Sequence, residues 1–421
     1  MTDIFKNYVA AYKALRLNAR RFLAFTFLIS LAQSVFGLVF NLYILKIGYT
    51  MDFVGVLSSI PGLTIAALAI PMALLTTGIP ARKLLLASVG LSTAAMLGMA
   101  LITARVPLML LGVLNGAAAA AMAITAFPLM ARNSSEGERQ HLFSFQFALG
   151  TAAAFAGSLA SGWLTKGWAA LLFSGDEGAL AYRGTLLTAC LLMLAAAGSA
   201  AGIKEAAFPD AKKEAGAFGG LNITKAFHVL LPQLIIGFGA GMIMPYLNVF
   251  FKTGFTLGIA SLGFCMSLMP LAMAFGGLIG PWLVKRVGQV RAMIAFQGLS
   301  IPFLATMGFS GFLIPTVLAA FARTLLMNAS WPVYSVFMLG HFPPAQHQAI
   351  SSIYTAVWNL TFAASTRLSG RLQMDFGFTL PFLVTITCYA FATLMLSRRF
   401  LRAEPANKKA AGPAALEEGM E

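Results

Sequence analysis

The sequence predicts an all-α integral membrane protein, with twelve transmembrane helices arranged as two pseudo-symmetric six-helix bundles. Three observations carry that prediction. The first is composition: 59% of the 421 residues are hydrophobic and 10% are charged, against about 45–50% and about 25% in soluble domains. A soluble domain this apolar has too few polar groups to cover its surface, so lipid is the solvent. The second is a series of twelve apolar runs. Each is near or above the roughly 20 residues that a helix rising about 1.5 Å per residue needs to cross hydrocarbon. The third is a polar break from Lys204 to Lys225, near the middle of the chain, carrying Glu205, Asp210, Lys212, Lys213 and Glu214 with Pro209, Gly216, Gly219 and Gly220.

In chain order, residues 1–21 place Ile4, Phe5, Tyr8, Val9, Tyr12 and Leu15 on one helical face, with Lys6, Lys13, Arg16 and Arg20 largely on the other. This is the pattern of an amphipathic segment on the anionic cytoplasmic leaflet. The N-terminal bundle, 22–203, holds apolar runs at 22–45, 53–76, 82–104, 107–131, 142–165 and 181–203. The first run is too long for the h-region of a secretory signal. A cytoplasmic linker, 204–224, joins it to the C-terminal bundle, 225–400, with runs at 225–251, 258–284, 291–310, 313–339, 347–372 and 377–400. Residues 401–421, rich in Ala, Glu and Lys with Pro405 and Pro413, read as a disordered tail. Runs of this length exclude a closed barrel, whose strands span about 10 residues of alternating polarity.

Charge orients the helices. Of 29 Lys and Arg, 21 fall on the side shared by the termini and the linker. Six, Lys46, Arg105, Lys166, Arg183, Lys252 and Arg371, fall on the other. That bias predicts an inner or plasma membrane protein with both termini cytoplasmic and an even number of crossings. The net charge of +15 comes from short clusters between apolar runs, which is not the footprint of a nucleic-acid groove. Cys190, Cys265 and Cys388 lie inside apolar runs without metal-ligand spacing, and read as small buried hydrophobes.

The halves repeat at about 207 residues. Lys46-Ile-Gly-Tyr-Thr50 after the first run matches Lys252-Thr-Gly-Phe-Thr256 after the seventh. Gln140-His-Leu-Phe-Ser144 opens the fifth, and Gln348-Ala-Ile-Ser-Ser352 the eleventh. Both then reach Ser-Gly at the same distance, Ser161-Gly162 and Ser369-Gly370, while Pro61 and Pro270 hold matching places in the second and eighth runs. A repeat of this kind in a membrane chain indicates two related bundles with a site between them.

Twelve spans as six plus six, a charged central loop and this repeat resemble the major facilitator superfamily of secondary transporters, over essentially residues 20–400. The loop signature of that family, Gly-x-x-x-Asp-Arg-x-Gly-Arg-Arg, is kept in part at Pro281–Arg291: Arg286, Gly288 and Arg291 match, and Lys285 stands where the acid belongs. In the first half, Met72 to Arg82 keeps little beyond Arg82. The exporter motif of the fifth span maps onto Ala153, Gly157, Ser158, Ser161 and Gly162 without its Pro. The resemblance implies alternating access, with spans one, four, seven and ten lining a central cavity, helped by five and eleven. Lys285, Arg286, Gly288, Arg291 and Arg82 are then the expected gating loop.

Candidate binding residues are the polar and aromatic groups inside these spans. Arg323 has no acid in its own helix, and a charge at bilayer depth costs at least about 2.5–3.5 kcal/mol, so it is expected to face an internal cavity. A structural role, capping carbonyls or snorkelling outward, is the competing reading. Its stripe runs on through Met327, Ser330, Trp331 and Tyr334, and Asn115 holds the equivalent place in the first half. Gln33 and Asn41 in span one, Gln146 in span five, Gln233 and Asn248 in span seven, and Tyr354, Trp358 and Asn359 in span eleven complete the set. Each has a plainer explanation as an interhelical hydrogen bond or packing aromatic. Arg367 is expected to snorkel. Paired glycines such as Gly112/Gly116, Gly237/Gly241 and Gly276/Gly280 are expected to let helix backbones approach.

All fourteen acids lie outside the spans. A cavity with no carboxylate suits an anionic or uncharged solute, amphipathic ones included. The leading reading is a secondary active or facilitative transporter of such a solute, without a cofactor, metal or nucleic acid, acting as a monomer in the bilayer. A multidrug-type efflux transporter and a non-transporting sensor or scaffold of the same fold are the alternatives. An enzyme is disfavoured by the lack of paired carboxylates, metal-spaced His and Cys, a Gly-x-Ser-x-Gly elbow or a phosphate loop.

Overall fold

A computed structural model describes residues 15, 17–75, 79–132, 136–172, 178–203 and 220–401. The amphipathic segment expected at 1–21 and the linker expected at 204–224 lie mostly outside these residues, as does the tail at 401–421 apart from Leu401. Twelve long helical rods form the described chain. The first half comprises α1 (Leu17–Lys46), α2 (Met51–Leu75), α3 (Ala81–Leu101), α4 (Arg105–Arg132), α5 (Glu136–Leu171) and α6 (Ala179–Ala201). The second comprises α7a (Ile223–Ile243), α8 (Ile259–Val287), α9 (Gln289–Phe309), α10 (Leu313–Gly340), α11 (His347–Phe376) and α12 (Thr379–Phe400). A 3-10 turn, Met244–Tyr246, breaks the seventh rod before it resumes as α7b, Leu247–Gly254. Pro245 lies within that turn and supplies no backbone N–H, which accounts for the break.

Eleven rods, with the seventh counted through its break, are long and apolar enough to cross a membrane by length and composition. The rod at His347–Phe376 has the length, at 30 residues, but is less apolar than the other eleven. Helix α11 is the polar exception, and its polarity is satisfied locally. Thr355 donates to the Ser351 carbonyl at 2.9 Å, Asn359 to Thr355 at 2.8 Å, and Thr361 to Val357 at 3.0 Å. Side chains bonded to their own backbone carry little desolvation cost into an apolar surround. Others tie α11 to its neighbour: Thr366 donates to the Gly241 carbonyl at 3.2 Å and Ser369 to the Met242 carbonyl, both on α7a.

The first span also begins earlier than residue 22, so that Arg20 and Arg21 lie in the first turns of α1. Arg21 donates to the Gly202 carbonyl at the end of α6, meeting the negative end of that helix. Asn222 caps α7a by accepting from the Lys225 amide at 2.9 Å.

Within each half the helices pack as related bundles, α1 on α5 and α6, and α7a on α11 and α12. Between the halves the two largest contacts are α2 with α11 and α5 with α8. Exchanging the halves turns one of these pairs into the other. Both seams are tightest near the face opposite the termini, where glycine removes the side chain that would hold them apart. A Cβ on Gly370 of α11 would lie 2.9 Å from the Gly55 Cα of α2, and one on Gly263 of α8 would lie 2.8 Å from the Ser158 carbonyl of α5. By contrast, Gly276 and Gly280 face α10, and Gly112 and Gly116 face α2, inside their own halves.

Candidate functional site

Between the halves lies a cavity of about 760 Å³, bounded by α1, α5, α8 and α10. Its first wall comes from α1, where Thr26, Ser30, Gln33 and Ser34 recur at the i, i+4, i+7, i+8 spacing of one helical face. The second comes from α5, where Phe143, Gln146, Phe147, Gly150, Thr151 and Ala154 repeat the same period. Met269, Pro270 and Met273 of α8 and Thr324 of α10 close the far side. Amide and hydroxyl groups therefore face aromatic rings and thioethers, and among the described residues no charged side chain lines the wall. The lining falls in the termini-side portions of α1 and α5, so the cavity opens toward the face of the termini while the opposite face is sealed.

Gln33 of α1 and Gln146 of α5 both line this cavity. Other nominated residues lie elsewhere. Asn41 and Asn248 belong to the seal: Asn41 donates to the Pro245 carbonyl and Asn248 to the Leu38 carbonyl, each at 2.7 Å. They are 8% and 4% exposed, respectively. Asn115 accepts from Ser92 of α3 at 2.8 Å inside the first half, away from the cavity wall. Asn359 folds onto its own helix at the α2–α11 seam, where its carbonyl is 3.3 Å from a Cβ placed on Gly62.

Trp331, Tyr354 and Trp358 do converge. The two indole rings meet edge to face at 5.2 Å, and Tyr354 lies 6.1 Å from Trp331 and 5.9 Å from Trp358. Trp331 is 45% exposed and continues the Thr324 face of α10 two turns toward the termini side. Behind this cluster the Tyr354 hydroxyl and the Gln297 carbonyl oxygen are buried without hydrogen-bond partners.

Arg323 neither lines the cavity wall nor caps a carbonyl. It is 6% exposed and donates to the Met244 sulfur at 2.9 Å and to the Tyr389 hydroxyl, with its guanidinium 5.5 Å from the Tyr389 ring. Its Nε is buried with no partner. Arg367, expected to snorkel, instead pairs with Asp52 of α2 across the seam, a correction that the sequence hides because the partners are 315 residues apart.

At the termini face, Gly288 joins α8 to α9 with φ of 93°, a left-handed conformation that favours glycine. Lys285 and Arg291 are exposed there, and Arg286 stacks over Trp282 at 4.2 Å. Arg82, at the start of α3, is half-buried with its Nε unpartnered.

Sequence reasoning missed Thr26, Ser30, Ser34, Phe143, Phe147, Thr151, Met269, Met273 and Thr324. The signal was present in α1, whose hydroxyl stripe runs in register with Gln33, but serine and threonine also satisfy themselves within helices and so stand out poorly.

Two six-helix halves around a central cavity, sealed at one face and open at the other, define a multi-pass membrane transporter. The chain belongs to the Major Facilitator Superfamily, whose family model matches residues 22–227 and 229–418. Among curated proteins it is similar to the cis,cis-muconate transport protein of Acinetobacter baylyi, 28% identical over 169 residues, a match spanning 39% of each chain. Among solved structures it is similar to a point mutant of the nucleoside transporter NupG, with a TM-score of 0.76 and 12% identity, covering 91% of this chain and 100% of that one. A bacterial homologue of the human lysosomal transporter Spinster, inward-facing and occupied, gives a TM-score of 0.75 at 13% identity, covering 92% and 98%. An inward-facing bacterial homologue of the iron transporter ferroportin gives 0.72 at 13% identity, covering 90% and 98%. At these identities the solved structures speak to the fold alone. The family and these neighbours are transporters, not enzymes.

Proposed function

We propose that this transporter moves a small anionic or uncharged amphipathic solute through the cavity between its halves by alternating access. The observation that carries the reading is the wall: Gln33 and Gln146 with five hydroxyls facing Phe143, Phe147, Met269 and Met273, and no charge among the lining residues. Such a surface matches a solute with a flat or apolar body and a few hydrogen-bonding groups, and offers nothing to neutralise a cation. The muconate-transporting relative supports an organic acid, over the stretch it shares.

Both termini are assigned to the cytoplasm from the Lys and Arg bias, which makes this the inward-open state. Transport then requires the Asn41–Asn248 seal to part while the loops at Lys285, Arg286, Gly288 and Arg291 and at Arg82 close the other face. The protein is expected to act as a monomer with lipid as its surround.

The test is uptake into proteoliposomes of tritiated acids and neutral amphipaths, with Gln33→Ala and Gln146→Ala as probes. Each variant should raise KM at least several-fold with little change in fold. Transport of lipophilic cations in preference to these solutes, unaffected by either variant, would favour a multidrug-type exporter instead. No flux of any solute would favour a sensor.

A further inference from the structure

A buried guanidinium offers five N–H donors in a planar fork that fits a carboxylate. In this protein the fork of Arg323 is held by substitutes. One donor goes to the thioether of Met244 and another to the phenol of Tyr389, both neutral, and sulfur is a weak acceptor. The Nε is buried and unpartnered. Among the described residues no carboxylate pairs with Arg323, the ion pair that bridges the halves being Arg367 with Asp52. No backbone carbonyl accepts from it either, so an architectural capping role finds no support. A charge 94% removed from solvent, with weak neutral partners, is an incomplete site.

The position fits a ligand. Arg323 lies about ten residues into α10, near mid-depth, and precedes Thr324 of the cavity wall, so its guanidinium sits behind that wall against Met244 and Tyr389. Thr324 itself contacts the Met269 sulfur, another wall residue, at 3.5 Å. Met244 is half-buried and opens the 3-10 turn that interrupts the seventh rod, with its own amide still bonded to the Ala240 carbonyl. Its thioether can rotate away at small cost, because methionine is unbranched and adaptable. In the first half the matching residue is Asn115, neutral and already bonded to Ser92, so the charge of Arg323 has no counterpart across the repeat.

We propose that Arg323 is the anion-recognition group of this transporter, held ready by Met244 and Tyr389, and that the carboxylate of an amphipathic organic acid displaces the Met244 sulfur when it binds. The proposal rests on the cavity reading above and narrows it from anionic or uncharged solutes to acids.

Benzoate and benzamide have nearly the same shape and differ in charge, so titration calorimetry of the purified full-length protein with both isolates the role of Arg323. Wild type should prefer benzoate by roughly ten- to a hundredfold, the worth of hydrogen bonds to a charged group. Arg323→Gln should erase that preference, and Arg323→Lys should restore part of it. Met244→Leu, which keeps volume and removes the competing acceptor, should tighten benzoate several-fold and leave benzamide unchanged.

Equal binding of the two probes by wild type, or binding of neither, overturns the proposal, as does a benzoate preference that survives Arg323→Gln. Should Arg323→Gln not fold, an unchanged benzoate affinity in Met244→Leu overturns it instead. Loss of binding in Gln33→Ala and Gln146→Ala with no Arg323 dependence would leave the cavity reading standing and remove this one.

Discussion

Asn41 of α1 and Asn248 of α7b each donate, at 2.7 Å, to a backbone carbonyl on the other's rod, Pro245 and Leu38 respectively. They stand 207 residues apart, the period of the internal repeat. The seal opposite the termini is therefore closed by a reciprocal pair whose members hold matching places in the two halves. Replacing Asn41 or Asn248 with Leu removes a buried hydrogen bond and leaves a carbonyl unpaired, at a cost of about 1–2 kcal/mol to the sealed state. That is about a five- to thirtyfold shift in the balance of conformations. Spin labels placed across the seal should report a larger open population in both variants, and an unchanged distance distribution would refute the role.

The glycine contacts predict a steric block to sealing. A side chain at Gly263 would meet the Ser158 carbonyl at 2.8 Å and the Gly162 amide nitrogen at 3.2 Å, both backbone atoms that cannot rotate aside. Gly263→Val should keep its helix content and lose transport, while a cysteine placed in the seam becomes reactive to an impermeant thiol reagent from the opposite face. Gly258→Ala, with nothing within 4 Å, is the control and should behave as wild type.

The Asp52–Arg367 pair is part-exposed, at 23% and 42%, so its contribution is small, about 0–1 kcal/mol and screened by salt. Asp52→Asn and Arg367→Gln should each weaken the seal modestly at low ionic strength. The double exchange Asp52→Arg with Arg367→Asp should recover it, and high salt should abolish the differences. A swap worse than either single change, at equal expression, contradicts a pairing role.

Helix α11 predicts a contrast between two kinds of hydroxyl. Ser369 bonds to the Met242 carbonyl of the neighbouring rod, whereas Thr361 bonds only to its own helix. Ser369→Ala should lower thermal stability by about 1 kcal/mol, and Thr361→Ala by much less. Equal losses would mean that the cross-helix bond does not hold α7a to α11.

Much of this was legible in the chain. The apolar runs could not be solvated by water, and the repeat made the halves copies. Gln33 and Gln146 were visible because an uncharged amide inside a span demands a partner or a cavity. Arg367 misled, because its nearest charges in sequence, Arg371 and Asp375, are not its partner in space. Composition makes α11 look more polar than it packs, since hydroxyls and amides such as those of Thr355, Asn359 and Thr361 bond their own backbone. Asn41 and Asn248 looked like cavity residues because helical periodicity reports which face a residue is on, not how far along the rod the cavity ends.

The sequence by itself determined the solvent, the number of rods and the two-fold repeat, because each depends on composition or on periodicity along the chain. The tertiary structure alone decided which face is sealed, which amides line the cavity and what holds the Arg323 guanidinium. Those depend on contacts between rods hundreds of residues apart, set by where two bundles meet, and no local pattern encodes that distance.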